Sequence, residues 1–517
     1  MSLSRRSLIG RAVLVAGAQI LTAKGIAAAS APAPRPRFTS DPFALGVASG
    51  DPRADGATIW TRLVGAGLQL LDAPVRVPWE VSETESFSRI VRTGEDVAID
   101  QAAHALHIDI EGLRPGRDYF YRFYAGDAVS RTGRFRTLPV TADQFRIALT
   151  ACQHWEQGYF SAYADLVHKA PDLVLQVGDY IYEKSFGGGP DVRHFSGSDP
   201  VTLANYRARH ALYKTDPHLQ AAHAAAAWLA APDDHEVEND YAGTHSALSE
   251  SEAFLRRRAN AYQAYLEHMP ISLTRLTPGG VRFHGKVDIG DLARLYLLDT
   301  RQYRSPQPGA PEGRARGAVV PRAEADQSEG RSMLGAVQEA WLTGELACPQ
   351  PPWTILAQQT LFAPLALQRP EGEMIWSDMW DGYPAAREAV LKALGGEAIQ
   401  RALILSGDVH SFWRNDILHK GRHIANEIVT SCLASRNAPA ALFATAEADN
   451  PHVKYLDNAH AGYTLAEFDR HGARISFRAV RNLTDPESEV FELHVAEIEG
   501  PGKPGKPIAR EGMPFDD

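Results

Sequence analysis

Leu173-Val174-Leu175-Gln176-Val177-Gly178-Asp179-Tyr180-Ile181-Tyr182-Glu183 opens as a largely apolar run and breaks, at a glycine, into carboxylates and phenols. Such a run reads as a buried strand feeding a tight turn. In open α/β sheets, ligands bind just beyond strand ends of this kind. The pattern recurs along the chain. Ile147-Ala148-Leu149-Thr150 leads into Ala151-Cys152-Gln153-His154, and the apolar stretch 225–231 leads into Pro232-Asp233-Asp234-His235-Glu236-Val237-Glu238-Asn239. Ala402-Leu403-Ile404-Leu405 leads into Gly407-Asp408-Val409-His410. Further strands are predicted at 295–298 and 355–357, with helices at 203–213, 219–230 and 252–267. This alternation predicts an α/β layered domain over 145–485, completed by strands at 463–468 and 475–480. The Gly- and Pro-containing stretches 186–200 and 305–328 are expected to form its rim.

Upstream, short alternating strands are predicted at 57–63, 75–81, 106–110 and 119–124, with turn signals between them, as in an antiparallel sandwich. Leu113-x-Pro115-Gly116-x-x-Tyr119 resembles the tyrosine-corner segment of fibronectin type III-like domains. Residues 43–140 are therefore expected to form an all-β module. It gathers no reactive side chains, which suggests a structural or substrate-shaping role.

The chain of 517 residues carries 53 Lys+Arg against 63 Asp+Glu, a net charge of −10, which argues against a cationic nucleic-acid scaffold. Its 3 Cys are too few for a disulfide framework. Residues 1–30 contain Arg5, Arg6, Arg11 and Lys24 but no acid, then an apolar middle and a small-residue end. That is the composition of an export signal, and Ser4-Arg5-Arg6-Ser7-Leu8-Ile9 resembles the twin-arginine type. Its apolar run falls short of the ~20 residues a membrane span needs. Cleavage would leave 49 basic against 63 acidic residues, a net of −14. The expected destination is the periplasm or the exterior, with the twin-arginine machinery as a transient partner. A linker is expected at 31–42 and a loosely ordered tail at 486–517.

Each cluster taken alone has an unremarkable reading: Cys152 as a small core residue, Gly-Asp as a capped turn, Asp-Asp-His-Glu as a first helical turn. Cys348 and Cys432 read as core. Together, however, the clusters offer thiol, phenol, imidazole and carboxylate groups to one edge. Asp179 and Tyr182 are three apart across a turn, and Asp408 and His410 two apart on one side of an extended chain. Thiolate, phenolate and imidazole suit iron, whereas carboxylates suit Ca²⁺, Mg²⁺ or Mn²⁺. A structural tetrahedral zinc would use Cys and His throughout.

Gly178-Asp179-x-x-Tyr182, Asp234-His235-Glu236 and Gly407-Asp408-x-His410 resemble the motif series of calcineurin-like metallophosphoesterases, in the variant of PhoD-type alkaline phosphatases. Gly46-Val47-Ala48-Ser49-Gly50-Asp51-Pro52, Ile59-Trp60-Thr61-Arg62, Leu298-Asp299-Thr300-Arg301-Gln302-Tyr303-Arg304 and Trp380-Asp381-Gly382-Tyr383 resemble that family in the same order. The resemblance implies a layered metallophosphoesterase sandwich and a dinuclear Fe³⁺ and Ca²⁺ site, with Mn²⁺ or Mg²⁺ as substitutes. Asp179 would bridge. Cys152, Tyr182 and His410 would lie on the iron side, with Asp234 and Asp408 serving the second metal or the wider site. Many relatives in the broader superfamily have Asp-x-His where Cys152 stands and Asn where Asp234 stands, while His154 matches no ligand position.

The implied reaction is hydrolysis of phosphate mono- and diesters by metal-bound hydroxide. His235 would protonate the leaving oxygen or else orient a ligand. Arg301 would grip phosphate with two prongs or else pair with Asp299. Trp380-Asp381-Gly382-Tyr383 would line the entrance or simply pack. The alternatives are a phospholipase-D-like phosphodiesterase and a non-catalytic surface-binding protein.

Overall fold

Strand alternation sets which core each side chain enters. The computed structural model describes residues 38–499 apart from 66–67, 69–73, 190 and 328–329. The expected export signal, most of the linker and the Gly/Pro-rich end of the tail lie outside the described residues. Leu295 and Leu297 enter one core while Tyr296 and Leu298 enter another. Ile355 and Ala357 are divided in the same way from Leu356, and Leu403 and Leu405 from Ala402 and Ile404. Strands apolar on both faces need cover on both, as parallel sheets do.

Two sheets supply that cover for each other. Ala293–Leu297, Trp353–Ala357, Arg401–Ser406 and Arg422–Val429 run parallel within a seven-stranded sheet. Gln144–Thr150, Leu173–Gln176 and Ala227–Ala230 run parallel within a nine-stranded one. Their side chains share one core, which also takes in helices Ala162–Lys169 and Pro217–Ala225. Helices Gly335–Leu346 and Pro384–Leu394 cover the far face of the seven-stranded sheet through Leu342, Leu346, Val390 and Leu394. The layered α/β arrangement is thus present.

Three expectations change. The helix predicted at 219–230 ends at Ala225, and Ala227–Ala230 is a strand. Here the sheet overrides alanine's helical preference, because Val174 pairs with Trp228 and Leu175 with Leu229. The tail begins later than 486: Val490–Glu499 is the outermost strand of the nine-stranded sheet, paired with Gly472–Val480. Cys348 is exposed, just past the end of helix Gly335–Leu346, whereas Cys432 is buried as expected.

The N-terminal sandwich is joined to the rest by a continuous sheet. Val47–Arg53 lies parallel to Ala227–Ala230 and antiparallel to Gly56–Arg62, which pairs with Ala105–Ile110. These strands pack on a second sheet containing Val75–Ser82 and Asp118–Ala125. A Cβ on Gly50 would sit 2.3 Å from the Pro270 carbonyl oxygen and 2.7 Å from that of Trp228. No side chain fits there. The Tyr119 hydroxyl accepts the Arg114 amide at 2.9 Å, forming the expected corner.

Where helices 203–213, 217–225 and 251–268 meet this seam, basic groups are buried together. His210, His223, His268 and Lys214 are almost wholly inaccessible. The Lys214 ammonium lies 4.5 Å from the Trp60 ring centre and 3.2 Å from His223 Nε2. Both ring nitrogens of His210 lack hydrogen-bond partners among the described residues. Burial pushes the pKa values of all four groups well below their ordinary range, with neighbouring cations such as Lys214 and Arg62 adding to the shift of the histidines.

Candidate metal centre

The parallel strands of both sheets end at a common edge, and sharp turns redirect the chain there. Cys152, Asp179, Asp408 and His410 all have φ between +51° and +68°. This left-handed conformation is costly for residues other than glycine, and the surrounding structure must hold it in place. Their glycine neighbours answer a separate demand. A Cβ on Gly178 would fall 2.3 Å from Asp233 Cβ, and one on Gly407 would fall 2.7 Å from Ala151 Cβ. Glu236 ties two loops together by accepting the amides of Asp179, Tyr180 and Asp233 at 3.2, 2.5 and 2.8 Å.

Potential ligand atoms converge in three overlapping groups: Cys152, Asp179 and His410; Asp179, Asp234 and His235; and Asp179, Asp233 and Asp408. Within each group they lie within 4.8 Å of one another, and Asp179 belongs to all three. The Tyr182 hydroxyl donates to Asp179 Oδ2 at 2.9 Å and lies 3.0 Å from His410 Nε2. His410 Nδ1 is 2.6 Å from the Arg436 carbonyl, to which it donates, so Nε2 is left as the lone-pair nitrogen facing the cluster. Asp179 Oδ1, Asp234 Oδ1 and Asp233 Oδ2 are buried without a hydrogen-bond partner among the described residues. Buried carboxylate oxygens are rarely left so. The donor set and these open oxygens fit the binding of cations.

The electrostatics agree. Burial, then the charges of Asp234, Asp233 and Glu236, push the Asp179 carboxyl well up, against the pull of His235. Burial and Asp179 push up the Cys152 thiol and the Tyr182 phenol, while burial brings His410 down to about 4. Cations among these groups would reverse the upward shifts of Asp179, Cys152 and Tyr182 and keep His410 neutral.

His235 differs in its surroundings. Its Nδ1 lies 2.7 Å from Glu183 Oε2. Burial opposes the charge, yet Glu183, Asp234 and Asp179 prevail and hold the imidazole pKa well above its ordinary range. The ring packs 4.3 Å from that of Tyr182, under Phe186 of the 186–200 rim. An imidazolium fixed this way keeps its Nε2 proton free of Glu183.

Arg301 does not stand open to phosphate, as the two-pronged reading required. Its side chain is 0% exposed. The guanidinium forks onto Asp378 at 2.9 and 2.6 Å, its Nε bonds Asp233, and Asp299 accepts only its backbone amide. It therefore positions Asp233. Trp380 to Tyr383 pack rather than line an entrance: Trp380 is buried with Nε1 on Gln358, and the Tyr383 hydroxyl bonds the Ser305 carbonyl. His154 is a packed neutral histidine, 4.6 Å from the Tyr182 ring and brought down to about 3 by burial.

Sequence reasoning left Asp233, Glu183, Glu236 and Thr360 without roles. The first three lie inside the motifs already quoted. Thr360, which donates to Asp408 at 2.6 Å, had no local signal.

The family model of PhoD-like phosphatases matches residues 147–477, and that of their N-terminal domain matches 27–139. Alkaline phosphatase D of Bacillus subtilis (strain 168) is 36% identical over 478 residues, 87% of this chain and 80% of that protein. A solved structure of PhoD superposes with a TM-score of 0.84 at 34% identity, covering 90% of this chain and 92% of that one. Purple acid phosphatase 15 of Arabidopsis thaliana is 35% identical over 83 residues, 15% of each protein. The chain belongs to the PhoD-like phosphatase family of metal-dependent phosphatases and is a hydrolase of phosphoric ester bonds.

Proposed function

We propose that the chain is an exported phosphoesterase acting on phosphate mono- and diesters at alkaline pH, with iron and calcium held around Asp179. The observation that carries this reading is Asp179 itself, common to all three ligand groups and with an open buried oxygen. Cys152, Tyr182 and His410 form the softer side, suited to Fe³⁺, and Asp234, Asp408 and Asp233 the oxygen-rich side, suited to Ca²⁺. When bound, such a pair would supply an activated water and neutralise charge on the phosphoryl oxygens.

The chain's own residues do the rest. Glu183 holds His235 through Nδ1, which leaves the Nε2 proton to be given to the leaving oxygen. Arg301, spanning Asp233 and Asp378, sets the Asp233 carboxylate in place. Glu236 holds the two loops in register. The twin-arginine start at Arg5 and Arg6 supports export.

The test is elemental analysis of protein from the exported fraction, then chelation and return of single metals. Iron and calcium near stoichiometric amounts, with turnover restored only by their return, is the expected outcome. Full activity in protein free of both would overturn the assignment.

A further inference from the structure

Away from the carboxylates, a cavity of about 390 Å³ lies between the N-terminal sandwich and the catalytic layers. Its charge is opposite to the chain's. Asp51 is the carboxylate in its wall, against Arg53, Arg275, Arg282 and Lys286. Three of these cations are engaged: Arg275 forks onto Asp51 at 2.9 and 2.5 Å, Arg53 reaches Asp109 at 3.5 Å, and Lys286 meets Glu345 at 2.7 Å. Arg282 is exposed and pairs with no acid among the described residues. Beside it in the wall, His284 Nδ1 is buried without a hydrogen-bond partner, its ring 5.2 Å from that of Trp341 and 5.9 Å from that of Tyr303.

The position matters as much as the charge. Val47–Arg53 runs parallel to Ala227–Ala230, so residues 51–53 emerge at the strand end that leads to Asp233. Gly285 pairs with Leu297, the last residue of the strand that leads to Arg301. The cavity therefore flanks the same edge of both sheets as the metal centre. Gln302, next to Arg301, donates to the Val281 carbonyl in the cavity's supporting hairpin at 3.0 Å.

We propose that this cavity is a second oxyanion site, recognising a phosphate group through Arg282 and His284, with Arg275 and Lys286 supplying background field. A guanidinium fork matches phosphate geometry, and an imidazole N–H can complete it. The volume admits a phosphate with a small organic substituent against Trp341, and it excludes a folded partner. The site needs no metal, so it stands apart from the reading of Asp179.

Calorimetric titration of the full chain with inorganic phosphate, before and after chelation, tests it. Binding that survives chelation and weakens at least tenfold in both Arg282→Gln and His284→Ala is expected, with kcat on a small chromogenic monoester within twofold of the parent. Both substitutions lie outside the metal centre. A parallel titration with phenylphosphonate separates the sources: tighter binding than inorganic phosphate, dependent on Arg282, identifies an ester's phosphate, and weaker binding identifies free phosphate. Loss of all binding on chelation, or binding unchanged in both variants, would overturn the proposal. Loss of turnover without metals bears only on the catalytic centre.

Discussion

The metal centre and the seam between sandwich and catalytic layers both bury titratable groups, with opposite signs. At the centre, Asp179, Asp233 and Asp234 crowd together with oxygens that nothing among the described residues satisfies. At the seam, His210, His223, His268 and Lys214 crowd together, but the cluster is accommodated as neutral groups, since burial strips their protons. A buried ionisable cluster persists either by pairing or by neutralising itself. The seam neutralises itself. The centre is mixed: burial pushes the Asp179 carboxyl well up, and although burial also raises Asp234 and Glu183, Arg301 and His235 at the first and His235 at the second more than offset it. What sets the centre apart from the seam is its open buried carboxylate oxygens.

The largest effect that would break this contrast is expected from Asp179→Ala. Removing the shared carboxylate should cost at least about 10³-fold in kcat, the equivalent of several kcal/mol of transition-state charge stabilisation. Metal content should fall with it. Steady-state kinetics and elemental analysis on the same preparation check this, and retained metal with retained turnover would remove Asp179 from its role.

Next in size is His235→Asn, expected to lower kcat about 10²-fold on an alkyl phosphate and far less on a nitrophenyl ester, whose leaving group needs no proton. Equal losses on both substrates would instead make His235 an orienting residue. The comparison also separates proton donation from metal loss, which would harm both substrates alike.

Acid titration probes the other region. The seam histidines have folded pKa values below their unfolded ones, so the unfolded chain binds more protons as pH drops. Their contribution to stability is present above the unfolded value of about 6.5 and is lost as pH falls below it. Thermal midpoints of the chelated protein should decline from pH 7 towards 5. His210→Leu, which removes two unpartnered ring nitrogens, should flatten that decline with little change at pH 8. An unchanged slope would mean the seam does not set acid lability. The smallest effect is expected from Tyr119→Phe, which deletes one hydrogen bond to the Arg114 amide and should cost about 1 kcal/mol in denaturant titration.

What could be read from the chain depended on how local the signal was. Strand followed by polar turn is a contiguous pattern, so Cys152, Asp179, Tyr182, His235 and His410 are legible in the sequence, and the fold brings their side chains together. Adjacent residues were harder. The family resemblance singles out Asp234 and not Asp233, whereas the tight turn after Ala230 lets both reach the site. Arg301 misled because its true partner, Asp378, lies 77 residues on. The strand Val490–Glu499 was lost to the neighbouring Gly/Pro run, although Val495 to Glu499 alternates as a half-buried strand should. The continuous sheet through Gly50 could not be inferred, since it rests on pairing with residues about 180 positions away.

That pairing bears on the order in which the protein is made. The sandwich strand Val47–Arg53, already paired with Gly56–Arg62, gains its second neighbour only once Ala227–Ala230 has left the ribosome. Until then the newly made sandwich carries an open strand edge, a template for pairing with other chains. A fragment ending near residue 140 would keep that edge permanently, and a graft of this sandwich onto an unrelated enzyme would need to bring the matching strand with it.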